Sequence, residues 1–179
     1  MRYRRDRTPG GIYFFTVVTE GRAPLFSDAG LVDLLRDSFR TVRNRHPFAI
    51  DAIVVLPDHL HTIWTLPPHD DDYVTRWGLI KAEFSRRCPA ALKRVTRPDR
   101  ARRREVAIWQ RRYWEHRIRD EGDLAAHIEY IHWNPVKHGH AAAVAEWPYS
   151  SFHSFVRRGI YPADWDTADK ALVVSGPDE

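Results

Sequence analysis

His59 and His61 stand one residue apart in the run LPDHLHTIWTLP. On a strand, residues i and i+2 share a face, so both imidazoles project side by side while Leu60 points the other way. Two imidazoles on a rigid strand are half of a metal site. A third oxygen or nitrogen donor, with positions left open for a ligand, would complete it. A structural role is the competing account, because ten histidines in 179 residues make one His-x-His pair unsurprising. Pro57 and Asp58 place the pair at the start of its strand, which this reading sets near a sheet edge.

Tyr130 and Asn134 are the second signal, in HIEYIHWNPVKHG. Four residues apart on a helix, they share a face, and His127 and His138 flank the same stripe. Pro135 has no N–H and disfavours helical geometry at Asn134, so the helix is expected to kink or end there. An Asn at such a break can turn its carbonyl oxygen towards a ligand. The same residues also fit a plain helix terminus, with Asn134 as C-cap, Pro135 and Gly139 beyond it, and Tyr130 a half-buried core aromatic.

The two signals make chemical sense together. A phenol with a pKa near ~10 is a poor nucleophile at neutral pH without a base or a metal. A divalent cation held by two histidines and an amide would leave positions for phosphate oxygens, polarise the phosphorus and stabilise charge in the transition state. A phosphotyrosine ester would conserve bond energy for a later attack by a DNA 3′-hydroxyl. A hydrolase that activates water needs no such residue.

The elements that must position these groups can be read from periodicity and breaks. Residues 11–19, GIYFFTVVT, follow a Pro-Gly-Gly break and read as a strand. Ser27 or Asp28 can cap a helix whose apolar positions Leu31, Leu34, Leu35, Phe39 and Val42 keep helical spacing. Residues 48–56 and 59–66 are two further strands, stopped by Pro57 and by Pro67-Pro68. A second helix starts at 70–72, carries Val74, Trp77, Ile80, Lys81 and Phe84, and ends before Pro89. Residues 89–106 are basic and Pro-interrupted. Residues 108–119, IWQRRYWEHRIR, read as a fourth strand, and Asp120 or Asp123 caps a third helix through Tyr130. The order β-α-β-β-α-β-α predicts an α+β, ferredoxin-like split βαβ arrangement, with an antiparallel sheet and helices on one face, followed by a C-terminal helix and extension.

Composition sets outer limits. With 43% apolar and 12% aromatic residues the chain can build a core, and one domain suits its length. Residues 1–158 are expected to form one catalytic domain with 1–10 as a basic arm, and 159–179 an acidic, partly flexible tail. No run of 18 apolar residues could span a membrane. Cys88 is the sole cysteine, which excludes an internal disulfide and a cysteine-built zinc cage; the expected location is the cytoplasm, at the nucleoid. From Arg76 to Arg119 there are fifteen Lys or Arg against four Asp or Glu, a bias that attracts polyanions or simply forms a solvated face.

The strand-turn-strand LPDHLHTIWTLP resembles the HUH motif (His, bulky hydrophobic, His) of single-tyrosine transposases. Together with WQRRYWEHRIR and YIHWNPVKHG, in that order, it is similar to the REP-associated tyrosine transposase branch of that superfamily. The resemblance runs from about Tyr13 to Trp165. It implies a bacterial enzyme that binds REP hairpins with their flanking tetranucleotides and cleaves and rejoins single-stranded DNA. It makes His59 and His61 metal ligands, Tyr130 the nucleophile and Asn134 the third ligand, with Mg2+ or Mn2+ as the metal. Other branches of the superfamily place Gln or another donor four residues after the tyrosine.

Trp109, Tyr113 and Trp114 interleave with Arg111, Arg112, Arg117 and Arg119, so bases could stack there while phosphates are paired. Core packing is the alternative, and it must hold for one of Tyr113 and Trp114. Arg102, Arg103 and Arg104 precede that stretch and could grip a hairpin stem; Arg2, Arg4, Arg5 and Arg7 form a basic arm that could reach a groove. The segment WPYSSFHSF at 147–155 is read as packing the tyrosine helix back onto the body. The short connection from Arg119 to Tyr130 favours a single-chain active site, and a monomer over a dimer. A non-catalytic hairpin-binding protein and a water-using metal phosphodiesterase are the alternatives.

Overall fold

The structure, a computed structural model, describes residues 6–93 and 108–165. Four strands, β1 (Ile12–Val18), β2 (Ala49–Val55), β3 (His59–Thr65) and β4 (Trp114–Arg117), form one antiparallel sheet in the order β2-β3-β1-β4. That is the order of a split βαβ sheet, as the alternation of elements predicts. α1 (Ala29–Arg45) and α2 (Tyr73–Arg87) pack on one face, and α3 (Glu121–Lys137) lies on the other. α4 (Phe152–Arg157) is a short final turn.

Period-two alternation divides each strand between two cores. Tyr13, Phe15, Val17, Leu60 and Trp64 face α1 and α2, where Trp64 stacks on Trp77 of α2 with ring centres 4.3 Å apart. Phe14, Ala52, Val54 and Ile63 face α3. Asp28 caps α1 by accepting from the Gly30 N–H at 2.7 Å, and Asp72 caps α2 through Thr75 N–H at 3.1 Å. Buried Arg76 forks onto both oxygens of Asp70 and donates to the carbonyls of His46 and Pro47, which ties the start of α2 to the end of α1.

Three expectations need correction. The fourth strand is Trp114–Arg117 and not 108–119. Thr16 pairs with Trp114 and Thr19 bridges to Trp109, so the stretch 109–114 is longer than the stretch it faces, and the surplus, with exposed Arg111 and Arg112, loops out. The histidine pair is not at a sheet edge: β3 lies between β2 and β1, and His59 is at its end. The tyrosine helix does not end at Asn134. It runs to Lys137 with Pro135 inside. Pro135 costs only one late hydrogen bond, and two backbone bonds close the end, His140 N–H to Pro135 O at 2.8 Å and Gly139 N–H to Val136 O at 3.0 Å, with Gly139 at φ 70°. This is a Schellman closure, which satisfies the last carbonyls despite the proline.

The 147–155 segment packs as expected and does more. Tyr149 O accepts from Val55 N–H at 2.9 Å, Ser151 N–H donates to Ile53 O at 2.8 Å, and Val54 bridges to Ser150. The segment therefore covers the exposed edge of β2, and the Ser151 hydroxyl lies 2.9 Å from His132 Nε2 on α3. Beyond residue 158, Tyr161 and Trp165 stack at 4.6 Å and close over His132.

Candidate active site

His59 and His61 point from β3 towards α3, both buried, with ring centres 4.9 Å apart. Each is anchored through Nδ1. His59 Nδ1 donates to Asp58 Oδ1 at 2.6 Å; a carboxylate can only accept, so the proton is on Nδ1, and in the neutral ring the lone pair is on Nε2. Burial alone would raise the Asp58 pKa, but hydrogen bonds from His59 and Arg22 outweigh it and hold the carboxyl below 3.8. His61 Nδ1 lies 2.9 Å from the Thr16 hydroxyl, its directly opposed residue on β1. A carboxylate or hydroxyl on Nδ1 orients the ring and presents Nε2, the usual support of a metal-binding histidine.

α3 brings its stripe onto this pair. Tyr130 sits edge-on to His61 with ring centres 5.3 Å apart, and His138 meets His59 at 5.6 Å. Asn134 lies midway between Tyr130 and His138 at helical spacing, so it faces the histidines. It is fully buried, and neither Oδ1 nor Nδ2 has a hydrogen-bond partner among the described residues. A buried amide left unsatisfied costs about 1–3 kcal/mol, which suggests that a ligand normally engages it. Two histidines presenting Nε2 and one orphaned amide oxygen are a nitrogen and oxygen donor set that fits a divalent cation.

Phe14, which residue types alone did not single out, is the floor of the site. Its ring touches His61 at 5.5 Å, Tyr130 at 6.0 Å and His127 at 4.9 Å between centres. Asp58 and Thr16, which hold the two imidazoles, were missed as well. Asp58 adjoins His59 in sequence and could have been suspected; Thr16 becomes visible only through the β1–β3 register.

His127 does not join the residues of α3 that meet His59 and His61. It stacks on His116 of β4 at 4.7 Å, and both approach Asp123. His116, Asp123 and His127 bring ligand-capable atoms within 4.8 Å of one another. Asp123, however, already accepts from His116 Nε2 at 2.9 Å, from Arg119 N–H at 3.0 Å and from Arg119 Nε at 3.2 Å. The guanidinium supplies the positive charge a cation would bring, so this group reads as a brace fastening the start of α3 to β4. Burial would raise the Asp123 pKa, yet the bonds from His116 and Arg119 bring it down to about 2. Burial lowers the His127 pKa.

The expected DNA-contact residues divide. Arg111 and Arg112 are exposed, Arg117 pairs with Asp6 and Arg119 with Asp123. Trp109 is not a surface stacking platform: it is buried against Phe26 and Phe84. Tyr113 is half-buried and packs on Phe15 and Trp77, while half-buried Trp114 packs on Phe14 across the sheet. Arg7 is tied to Asp71 and Asp72 at the start of α2. Arg2, Arg4, Arg5, Arg102, Arg103 and Arg104 lie outside the described residues.

No protein-family model matches the chain. It is 45% identical over 163 residues to a REP-associated tyrosine transposase of Haemophilus influenzae, covering 91% of this chain and 92% of that one. It is 44% identical over 164 residues to a REP-associated tyrosine transposase of Escherichia coli, covering 91% and 89%. Its fold matches the solved structure of a REP-associated tyrosine transposase bound to a REP hairpin, with TM-score 0.78 and 39% identity, covering 98% of this chain and 99% of that one.

Proposed function

Since the chain belongs to the REP-associated tyrosine transposase family, we propose that it is a metal-dependent single-strand endonuclease and strand transferase acting on REP-type DNA hairpins, with Tyr130 as nucleophile. One observation carries this reading: Tyr130 stands against His61, and one helical turn further along α3 the buried amide of Asn134 has no hydrogen-bond partner among the described residues.

His59, His61 and Asn134 would hold Mg2+ or Mn2+, which when bound supplies Lewis-acid polarisation and a template for the scissile phosphate. Asp58 and Thr16 hold the two imidazoles in orientation. Phe14 and His61 flank the Tyr130 ring, so its hydroxyl is held in place. Attack by Tyr130 Oη on phosphorus forms the Oη–P bond and breaks the P–O3′ bond, which leaves a free 3′-hydroxyl and a 5′-phosphotyrosine. The tyrosine ester retains a leaving group for rejoining by a 3′-hydroxyl. Arg111 and Arg112, with Arg102, Arg103 and Arg104, are the basic groups proposed to hold the DNA backbone. Among the described residues no helix is long and apolar enough to cross a membrane, and a site in the cytoplasm, at the nucleoid, is the location proposed.

The test is incubation of end-labelled single-stranded hairpin DNA with the protein and Mn2+, followed by a denaturing gel. Wild type should give a covalent protein–DNA adduct. Tyr130→Phe should give none and keep its DNA affinity within a few fold, because only the hydroxyl is removed. Cleavage that survives Tyr130→Phe would favour a water-using phosphodiesterase; binding without an adduct in the wild type would mark a non-catalytic hairpin binder.

A further inference from the structure

Lys137 completes the α3 stripe that begins at Tyr130. Two turns of helix bring it back to nearly the same face. Its ammonium lies 3.4 Å from the Tyr130 hydroxyl and 4.9 Å from the centre of the ring. A surface lysine resting on a tyrosine ring is often only packing. Here the ring is that of the nucleophile, and the ammonium also sits at its oxygen.

The two residues differ in access. Tyr130 is 8% exposed, whereas Lys137 is exposed. The histidines lie on the sheet side of the phenol, and Lys137 lies on its solvent side. Exposed and at the hydroxyl, the ammonium is placed to meet the non-bridging oxygens of a phosphodiester that reaches Tyr130 Oη. With three N–H donors and no acceptor, Lys137 can serve Oη and a phosphate oxygen together. Its backbone is also well placed to hold this position. The Schellman closure at Gly139 and His140 fixes the turn that carries it, so Pro135 does not fray the end.

We propose that Lys137 is a catalytic residue of strand cleavage: its ammonium binds a non-bridging oxygen of the scissile phosphate beside Tyr130 Oη and stays with that oxygen as the phosphotyrosine forms. This rests on Tyr130 being the nucleophile. In the step, the Oη–P bond forms and the P–O3′ bond breaks. The electron pair leaves with the 3′-oxygen, which takes a proton from water, and the phenol proton passes to water. Lys137 keeps its protons throughout, and nothing is oxidised or reduced. A fixed charge matched to charge developing on phosphate is the general form of such stabilisation.

The experiment compares wild type, Lys137→Met, Lys137→Arg and Tyr130→Phe at saturating hairpin DNA with Mn2+, reading the rate of adduct formation. Two substrates are used, one with a normal scissile phosphate and one with a neutral methylphosphonate at that position. Met keeps the stem that covers the ring and removes only the charge. On the phosphate, Lys137→Met should be slower by roughly 10- to 100-fold, the span of one charge-assisted hydrogen bond, with DNA affinity changed less than threefold. Lys137→Arg should recover most of the rate. On the methylphosphonate, wild type and Lys137→Met should react at similar rates, because the charge that Lys137 meets is gone. Equal rates on the phosphate would overturn the proposal. So would an equal slowing on both substrates, since that means Lys137 only props the ring. An adduct that persists in Tyr130→Phe, or is absent from wild type, instead overturns the parent reading and this proposal with it.

Discussion

The imidazole of His61 and the phenol of Tyr130 meet edge to face, 5.3 Å between ring centres, one from the interior strand β3 and the other from α3. The contact joins the two chemical signals of the sequence within one chain. It also determines which perturbations should act on the proposed nucleophile, which on the proposed cation site and which on the helix that links them.

Removing a proposed metal ligand should stop the reaction outright. His59→Ala and His61→Ala should each abolish adduct formation, and EDTA should do the same to wild type. Asn134→Ala should be milder, because water can replace one neutral ligand. Asp58→Ala should leave both imidazoles in place but weaken Mn2+ binding about 10- to 100-fold, through loss of the group that orients His59. Binding followed by Mn2+ electron paramagnetic resonance checks this without reference to activity. An unchanged rate in EDTA would count decisively against the site.

DNA affinity should depend on salt through the basic segment. Neutralising Arg102, Arg103 and Arg104 should weaken hairpin binding and flatten the log–log salt slope by about 2 to 3, since each lost phosphate contact removes about 0.7–0.9. Fluorescence anisotropy at several salt concentrations gives both quantities. A drop in affinity with an unchanged slope would mean that these arginines read bases or shape.

The active site should work in cis. α3 follows β4 through a turn capped by Asp120, whose carboxylate accepts from Asp123 N–H at 2.8 Å, and the far end is held by the 147–155 segment on the edge of β2. Little free chain is left to carry Tyr130 to a neighbour. Mixing Tyr130→Phe protein with His59→Ala protein should therefore restore no cleavage. Recovery of the adduct in the mixture would show that tyrosines are exchanged between chains.

Acid should loosen the brace under α3 in two stages. The His127 pKa is lowered by burial, so the folded protein resists its protonation, and that contribution begins to be lost as pH falls below 6.5. The Asp123 carboxyl titrates at about 2 in the fold against 3.8 in the free group, so its contribution is complete above 3.8 and is lost as pH falls towards 2. A shift of that size corresponds to roughly 2 kcal/mol. Asp123→Asn should lower stability at pH 7 by about that amount and flatten the acid limb below pH 4. Urea unfolding at pH 7, 5 and 3 measures it, and parallel wild-type and variant profiles would refute the assignment.

Local pattern was enough to set the sequence of elements. Asp28 and Asp72 cap α1 and α2 where polar residues precede apolar stripes, and β1, β2 and β3 fall within a residue of the predominantly apolar runs bounded by glycine or proline breaks. His59 and His61 shared a face because a strand has period two, and Tyr130 and Asn134 because four residues nearly close a helical turn. These are properties of neighbouring residues, and the chain states them without help. What the fold decided depended on residues distant in sequence. Trp109 looks identical to a surface aromatic until Phe26 and Phe84 close over it, and β4 is short because the register against β1 leaves surplus chain between Trp109 and Trp114. Pro135 signals a break by its own chemistry, but hydrogen bonds from Gly139 and His140 and the packing of α3 on the sheet hold the helix through it to Lys137. The placement of Thr16 on His61, Phe14 under Tyr130 and Lys137 at the phenol follows from strand pairing and helix docking, where long-range packing overrides local preference.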